Sequence, residues 1–121
     1  MPFREAIEGL ISLVEKGQFI EALEKYYAED AVTTENMGEA RRGRETLIAN
    51  ERGVMAAFPT IRSRCVRPYF IDGDRVVIRW QFEFVHASGP TRRMDELAYQ
   101  LWRGDRIVEE RFFYDPAQMR A

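Results

Sequence analysis

The apolar positions from Phe3 to Lys16 fall at Phe3, Ile7, Leu10, Ile11 and Val14, the spacing of one face of an amphipathic helix. Gly17 supplies a stop signal. Phe19, Ile20, Leu23, Tyr26 and Tyr27 then form a second stripe, which predicts another helix ending near Ala28 to Asp30. A short β-branched stretch, Ala31 to Asn36, predicts a first strand, and Gly38 and Gly43 bracket a basic loop after it. A third helix is expected from about Arg44, with Leu47, Ile48, Val54, Met55 and Phe58 as its apolar positions. Pro59 ends it, because proline disfavours helical geometry in the residue before it.

Beyond Pro59 the period changes from helical to alternating. Four long segments, Ile61 to Ile71, Arg75 to His86, Arg92 to Trp102 and Arg106 to Tyr114, are separated by Asp72-Gly73-Asp74, Ala87-Ser88-Gly89-Pro90 and Gly104-Asp105, all of hairpin type. Successive hairpins predict an antiparallel meander. In the second segment Val76, Ile78, Trp80, Phe82 and Phe84 alternate with Arg75, Arg79, Gln81 and Glu83, so one face of the sheet is apolar and must be covered by the helices. The pattern predicts an α+β fold in which a long antiparallel sheet wraps three helices around a small, largely apolar pocket. With no internal repeat, linker or composition shift, residues 1–121 are expected to form a single domain.

Charge narrows the partners. Eighteen basic residues against twenty acidic ones give a net charge of −2, which provides no positive field for a phosphate backbone, and nucleic acid is not an expected partner. The arginine groups Arg41, Arg42, Arg44 and Arg62, Arg64, Arg67 have acidic neighbours and fit solvated faces. Cys65 is the single cysteine, so no intramolecular disulfide is expected. Met1 to Glu8 lacks a continuous apolar run, and no segment approaches the ~20 apolar residues of a membrane span, so a cytoplasmic protein without membrane contact is expected.

Two stretches carry a family resemblance. Tyr26-Tyr27-Ala28-Glu29-Asp30-Ala31-Val32, at the exit of the second helix, and Gly104-Asp105-Arg106-Ile107-Val108-Glu109-Glu110, at the final hairpin, resemble the corresponding junctions of the nuclear transport factor 2-like superfamily. The order of elements is similar over essentially the whole chain, and the SnoaL-like proteins are nearest in wording. The resemblance implies a cone-shaped curved sheet around three helices and a homodimer. Its members include ketosteroid isomerases, polyketide cyclases, epoxide hydrolases and dehydratases, together with proteins that perform no chemistry.

The candidate chemistry follows partly from this resemblance. Glu35 stands where ketosteroid isomerases place their general base, and an apolar wall would raise its pKa toward neutrality. The alternative is an exposed strand-end glutamate. Leu10 falls near the isomerases' oxyanion tyrosine, so Tyr99 is the remaining candidate donor. Arg93-Met94-Asp95 resembles the Arg-x-Asp spacing of limonene-type epoxide hydrolases, with Asp95 as acid and Asp115 as a second carboxylate. An exposed ion pair is the competing reading. His86 continues the Val76 to Phe84 face to the pocket rim, where SnoaL-type cyclases pair a histidine with an aspartate. The expected site therefore has Glu35, Asp95 and Tyr99 as catalytic residues and Tyr27, Trp80, Phe84, His86, Arg93, Glu109 and Asp115 as its lining.

The parity of the third long segment decides much of this. If Glu96, Ala98 and Gln100 face inward, Asp95 and Tyr99 leave the site together. One histidine and one cysteine do not make a metal site, and there is no nucleophile elbow, phosphate loop or dinucleotide fingerprint, so cofactor-free chemistry without a metal is expected. Two functions fit: acid/base chemistry on a small hydrophobic molecule, or a binding or dimerisation domain whose polar groups form a satisfied buried network.

Overall fold

A computed structural model describes residues 2–120; Met1 and Ala121, the ends of the expected domain, lie outside the described residues. Helix α1 (Arg4–Glu15) buries Ala6, Ile7, Leu10 and Ile11, the stripe expected from spacing. It ends on Gly17, whose φ of 76° lets the Gly17 N–H reach Val14 O (3.0 Å) and the Gln18 N–H reach Leu13 O (2.9 Å). Helix α2 (Phe19–Tyr26) packs across α1 at Gly9, where a Cβ would stand 2.0 Å from the Tyr26 hydroxyl oxygen. Any other residue at that position would force the Tyr26 ring out of its place.

Strand β1 (Tyr27–Glu35) follows α2 without a loop. It starts four residues before the expected Ala31, because Tyr27 is already paired with Ile107 of the last strand and tertiary pairing overrides local helix preference. The expected basic loop contains a two-residue strand, β2 (Arg41–Arg42), paired antiparallel with β1. Helix α3 (Arg44–Ala57) follows, and then β3 (Thr60–Asp72), β4 (Arg75–Val85), β5 (Arg92–Arg103), β6 (Arg106–Phe113) and a terminal 3₁₀ turn (Pro116–Met119).

The six strands lie in the order β2-β1-β6-β5-β4-β3 in one curved, unclosed sheet. The meander β3 to β6 is antiparallel as expected, but β1 runs parallel to β6, so the sheet is mixed. No hairpin joins β1 to β6. Most of the chain lies between them, which frees the direction of that pairing from turn geometry.

The inner face packs Val76, Ile78, Trp80, Ala98, Trp102 and Ile107 against Ile7, Leu10, Ile11 and Ala22. Side chains as buried as Val76, Ile78 and Ile107, each with 0% exposure, contribute about 1.5–3 kcal/mol apiece by leaving water.

Register breaks re-aim three strands. Five steps of β1, from Tyr27 to Val32, span two steps of β6, from Ile107 to Glu109. On β3 the pairing with β4 shifts between Val66 and Phe70. Between β5 and β6 it shifts from Leu101 opposite Glu109 to Trp102 opposite Ile107, leaving Val108 as an extra residue. Past the end of β6, Gln118 takes up the exposed edge of β5: its Oε1 accepts from Asp95 N (2.8 Å) and its Nε2 donates to Asp95 O (3.3 Å).

Candidate functional site

The side chains of β4 point as the alternation predicts, with Val76, Ile78, Trp80 and Phe84 buried. Pairing then fixes β5. Trp80 lies opposite Glu96 and Ile78 opposite Ala98, and residues opposite one another share a face. Glu96 (6% exposed), Ala98, Gln100 and Trp102 therefore face inward, while Asp95, Leu97 and Tyr99 face outward. The parity is the reverse of the one expected for a site holding Asp95 and Tyr99.

Beyond the β5–β6 register break, Ile107 and Glu110 both face inward although they are three residues apart. Strict alternation from Ile107 would have put Glu109 inside; the extra residue delivers Glu110 instead. The Glu110 carboxylate accepts a short hydrogen bond from the Tyr27 hydroxyl at Oε1 and a 2.8 Å bond from Gln100 Nε2 at Oε2. Gln100 Oε1 in turn accepts from Trp102 Nε1 at 2.9 Å. This chain of bonds holds Gln100 in one amide orientation and leaves its donor aimed at Glu110.

Two adjoining hollows of about 140 Å³ each open on the inner face, and both are lined by Leu23, Tyr27, Glu96, Glu110 and Phe112. Trp80, Phe82 and Glu51 line the first; Glu35, Arg41 and Met94 line the second. At the mouth, Glu35 accepts from Arg41 Nη1 (2.6 Å) and from the Tyr114 hydroxyl (2.7 Å).

Three carboxyls of this region, Glu96, Glu110 and Glu51, are shifted upward. Burial, then the charges of Glu110, Glu35 and Glu51, push Glu96 up to about 8, and among the described residues no group donates a hydrogen bond to it. Burial pushes Glu110 up to about 7, held back by the bonds from Tyr27 and Gln100. Burial and the Glu35 charge also raise Glu51, and burial raises the Tyr114 phenol, whose bond to Glu35 adds to the shift. The buried Tyr27 phenol moves strongly upward for the same reasons, burial first and Glu110 second. At neutral pH, Glu96 carries a proton and Glu110 is poised between its two forms.

The other expected residues divide among three places. Trp80 and Tyr27 line the hollow. Phe84 is buried but packs on Phe58 and Phe82, with ring centroids 5.3 and 5.7 Å away. His86 lies past the end of β4, exposed, with its ring edge-on to Phe58 and Nδ1 accepting from Ser88 N (3.2 Å).

On the outer face, Arg79 Nη2 and Asp95 form a 2.6 Å ion pair, and Arg79 with Gln81 lowers the Asp95 carboxyl below its ordinary range. Arg93 pairs there with Glu83 (3.3 Å), and Arg75 lies over the ring of Tyr99. Tyr99 and Glu109 line a groove of about 420 Å³, larger than either inner hollow; of the raised carboxyls Glu110 reaches its lining, and Glu96 and Glu51 do not. Asp115 accepts from Ala117 N (2.9 Å) and caps the terminal turn. Among the described residues no group of three His, Cys, Asp or Glu side chains is arranged to hold a metal ion, and no helix is long and apolar enough to cross a membrane.

Glu96, Gln100, Glu110 and Glu51 were missing from the expected site. Cross-strand parity carried from Trp80 could have found Glu96 and Gln100. No local signal marks the break that turns Glu110 inward.

Residues 7–110 match the SnoaL-like domain family. The chain belongs to the SnoaL-like family. Solved structures agree with this SnoaL-like assignment. A protein from Mesorhizobium loti described as a SnoaL-like polyketide cyclase is 25% identical, with a TM-score of 0.78 over 94% of this chain and 100% of that one. Two others share the fold: an epoxide hydrolase from M. tuberculosis similar to limonene epoxide hydrolase, 14% identical with a TM-score of 0.77 over 95% of this chain and 84% of that one, and a protein with a ketosteroid isomerase-like fold from Catenulispora acidiphila, 18% identical with a TM-score of 0.77 over 92% of this chain and 85% of that one. No protein of curated function matches the SnoaL-like chain.

Proposed function

We propose that this SnoaL-like protein is an enzyme that moves protons on a small molecule held in the inner hollow, with Glu96 as the transferring group and no cofactor. The observation that carries the reading is Glu96 itself: 6% exposed, without a hydrogen-bond partner among the described residues, lining both hollows, with its pKa pushed up to about 8. A group that changes protonation near working pH and has free lone pairs facing a cavity is suited to take and return a proton.

Glu110, oriented by Tyr27 and Gln100, is the second titrating group. Glu35, the base that the isomerase resemblance implies, is tied to Arg41 and Tyr114 at the mouth and serves in this reading to position the substrate. The catalytic roles first expected of Asp95 and Tyr99 pass to the inward-facing residues beside them. Isomerisation, cyclisation and epoxide opening all need a proton moved in this way, and the Mesorhizobium loti protein described as a SnoaL-like polyketide cyclase supports cyclisation among them.

Deuterium exchange at the α-carbon of small enolisable ketones, followed by NMR, tests the reading on wild type and Glu96→Gln. Exchange above background that falls at least tenfold in Glu96→Gln is expected. Exchange unchanged by the substitution would remove Glu96 from the mechanism.

The outer face supports a further reading, a homodimer. Leu97 and Phe113 are registered neighbours there, and with Tyr99 they remain 45, 40 and 42% exposed respectively. Apolar groups gathered on one side of a sheet favour a two-fold partner. Sedimentation should give a dimer for wild type and a monomer for Leu97→Glu; a monomeric wild type at micromolar concentration overturns it.

A further inference from the structure

The groups facing Glu96 determine what the hollow is able to hold. From β1 come Tyr27, Thr33 and Glu35, from β2 Arg41, from α3 Asn50 and Glu51, from β5 Gln100 and from β6 Glu110; Tyr114 reaches Glu35 from the chain's end. Four carboxyls thus meet one guanidinium, and Arg41 is bonded to Glu35. The Tyr27 hydroxyl and one N–H of Gln100 are spent on Glu110. Glu96 and Glu51 receive none among the described residues.

A ligand that only accepts hydrogen bonds is able to pair with Glu96 in its protonated form alone, and would face ionised carboxylates that also accept. A hydrocarbon would strip water from Glu96 and return nothing, and a buried polar group left without a partner costs about 1–3 kcal/mol. What the site lacks is a donor bearing positive charge. The remaining walls suit such a group, since Trp80, Phe82, Phe112 and Tyr27 present aromatic surface and ring faces attract cations. Hollows of about 140 Å³ limit the occupant to a compact molecule.

We infer that the inner hollow takes a compact protonated amine, its ammonium facing Glu96 and Glu51 and its apolar part against Leu23, Phe82 and Phe112. The inference rests on the acid/base reading for the place of the site and names the substrate class. Glu96 must give up its proton to meet the ammonium, so affinity rises with pH by up to about tenfold per unit until Glu96 is ionised.

Calorimetry of the whole chain with benzylamine and with benzyl alcohol, at pH 6, 7 and 8, tests it. Benzylamine is expected to bind at least tenfold more tightly than the alcohol at pH 8, with the gap narrowing toward pH 6. Glu96→Gln should close the gap, and Asp95→Asn, on the outer face, should leave it intact. Equal binding of the two compounds, no binding of benzylamine at millimolar concentration, or amine binding that survives in Glu96→Gln each overturns the inference. Ketone exchange that depends on Glu96 without amine binding leaves the acid/base reading standing and removes the amine; the reverse removes the acid/base reading alone.

Discussion

Asp95 and Glu96 are neighbours in β5 and face opposite sides of the sheet. Asp95 looks outward, where Arg79 and Gln81 donate to it and its pKa falls. Glu96 looks inward, where none of the described residues donates to it, Glu110, Glu35 and Glu51 lie nearby, and its pKa rises to about 8. The outer face repeats the first pattern at Glu83, which pairs with Arg62 (2.6 Å) and Arg93 (3.3 Å). The difference teaches that neither the acid nor its arginine neighbour marks a reactive site in this sheet. An ion pair in water satisfies its charges and leaves nothing to react, whereas a carboxyl with no partner in a hollow holds a proton it can transfer.

The largest expected effect is on the inner face and depends on pH. Between the ordinary glutamate value of 4.5 and about 8, the folded chain keeps a proton on Glu96 that the unfolded chain releases. Its contribution is therefore full below pH 4.5 and is lost as pH rises through 8; Glu110 behaves likewise up to about 7. At about 1.4 kcal/mol per unit, urea unfolding should lose several kcal/mol of stability between pH 5 and pH 9, and Glu96→Gln should flatten much of that slope. An equally steep slope in the variant would place the effect elsewhere. Glu8, held down to about 2 chiefly by Arg67 and Tyr69, works in the opposite sense, but only below pH 4.5.

Gln100→Ala comes next. It leaves Trp102 Nε1 and one Glu110 oxygen without partners in a buried site, at a cost of roughly 2–4 kcal/mol in chemical denaturation. It should also raise Glu110 further, since the bond from Gln100 favours the charged form. The smallest effect belongs outside: Asp95→Asn should change stability by less than about 1 kcal/mol, because the Arg79–Asp95 pair is half exposed to solvent. A loss on the scale of Gln100→Ala would break the contrast between the faces.

The helices, the four long strands and the apolar face of β4 were legible because each is written in a local period. The start of β1 was not, since Tyr26, Tyr27 and Ala28 read as helix until Ile107 offers Tyr27 a strand partner. The parallel pairing of β1 with β6 joins residues roughly eighty positions apart, beyond any local signal. Tyr27, Trp80 and Glu35, expected in the lining or the site, do line the inner hollows. Asp95 and Arg93 rest on a two-residue spacing that is the same on either face of a strand, and Tyr99 on the isomerase resemblance, and neither says which side they take. Pairing with β4 decides it. Glu109 was the consistent choice under strict alternation, and one extra residue in β6 put Glu110 in its place.

That extra residue also bears on how relatives should be compared. If a homologue lacks the counterpart of Val108, an alignment drawn without a gap will match its inward side chain to the wrong member of the Glu109-Glu110 pair. An apparent Glu-to-neutral replacement at position 110 would then be a shift in numbering, with the carboxyl still in the cavity. Conversely, deleting one residue from β6 would exchange the chemistry of the pocket while leaving the composition of the strand almost unchanged.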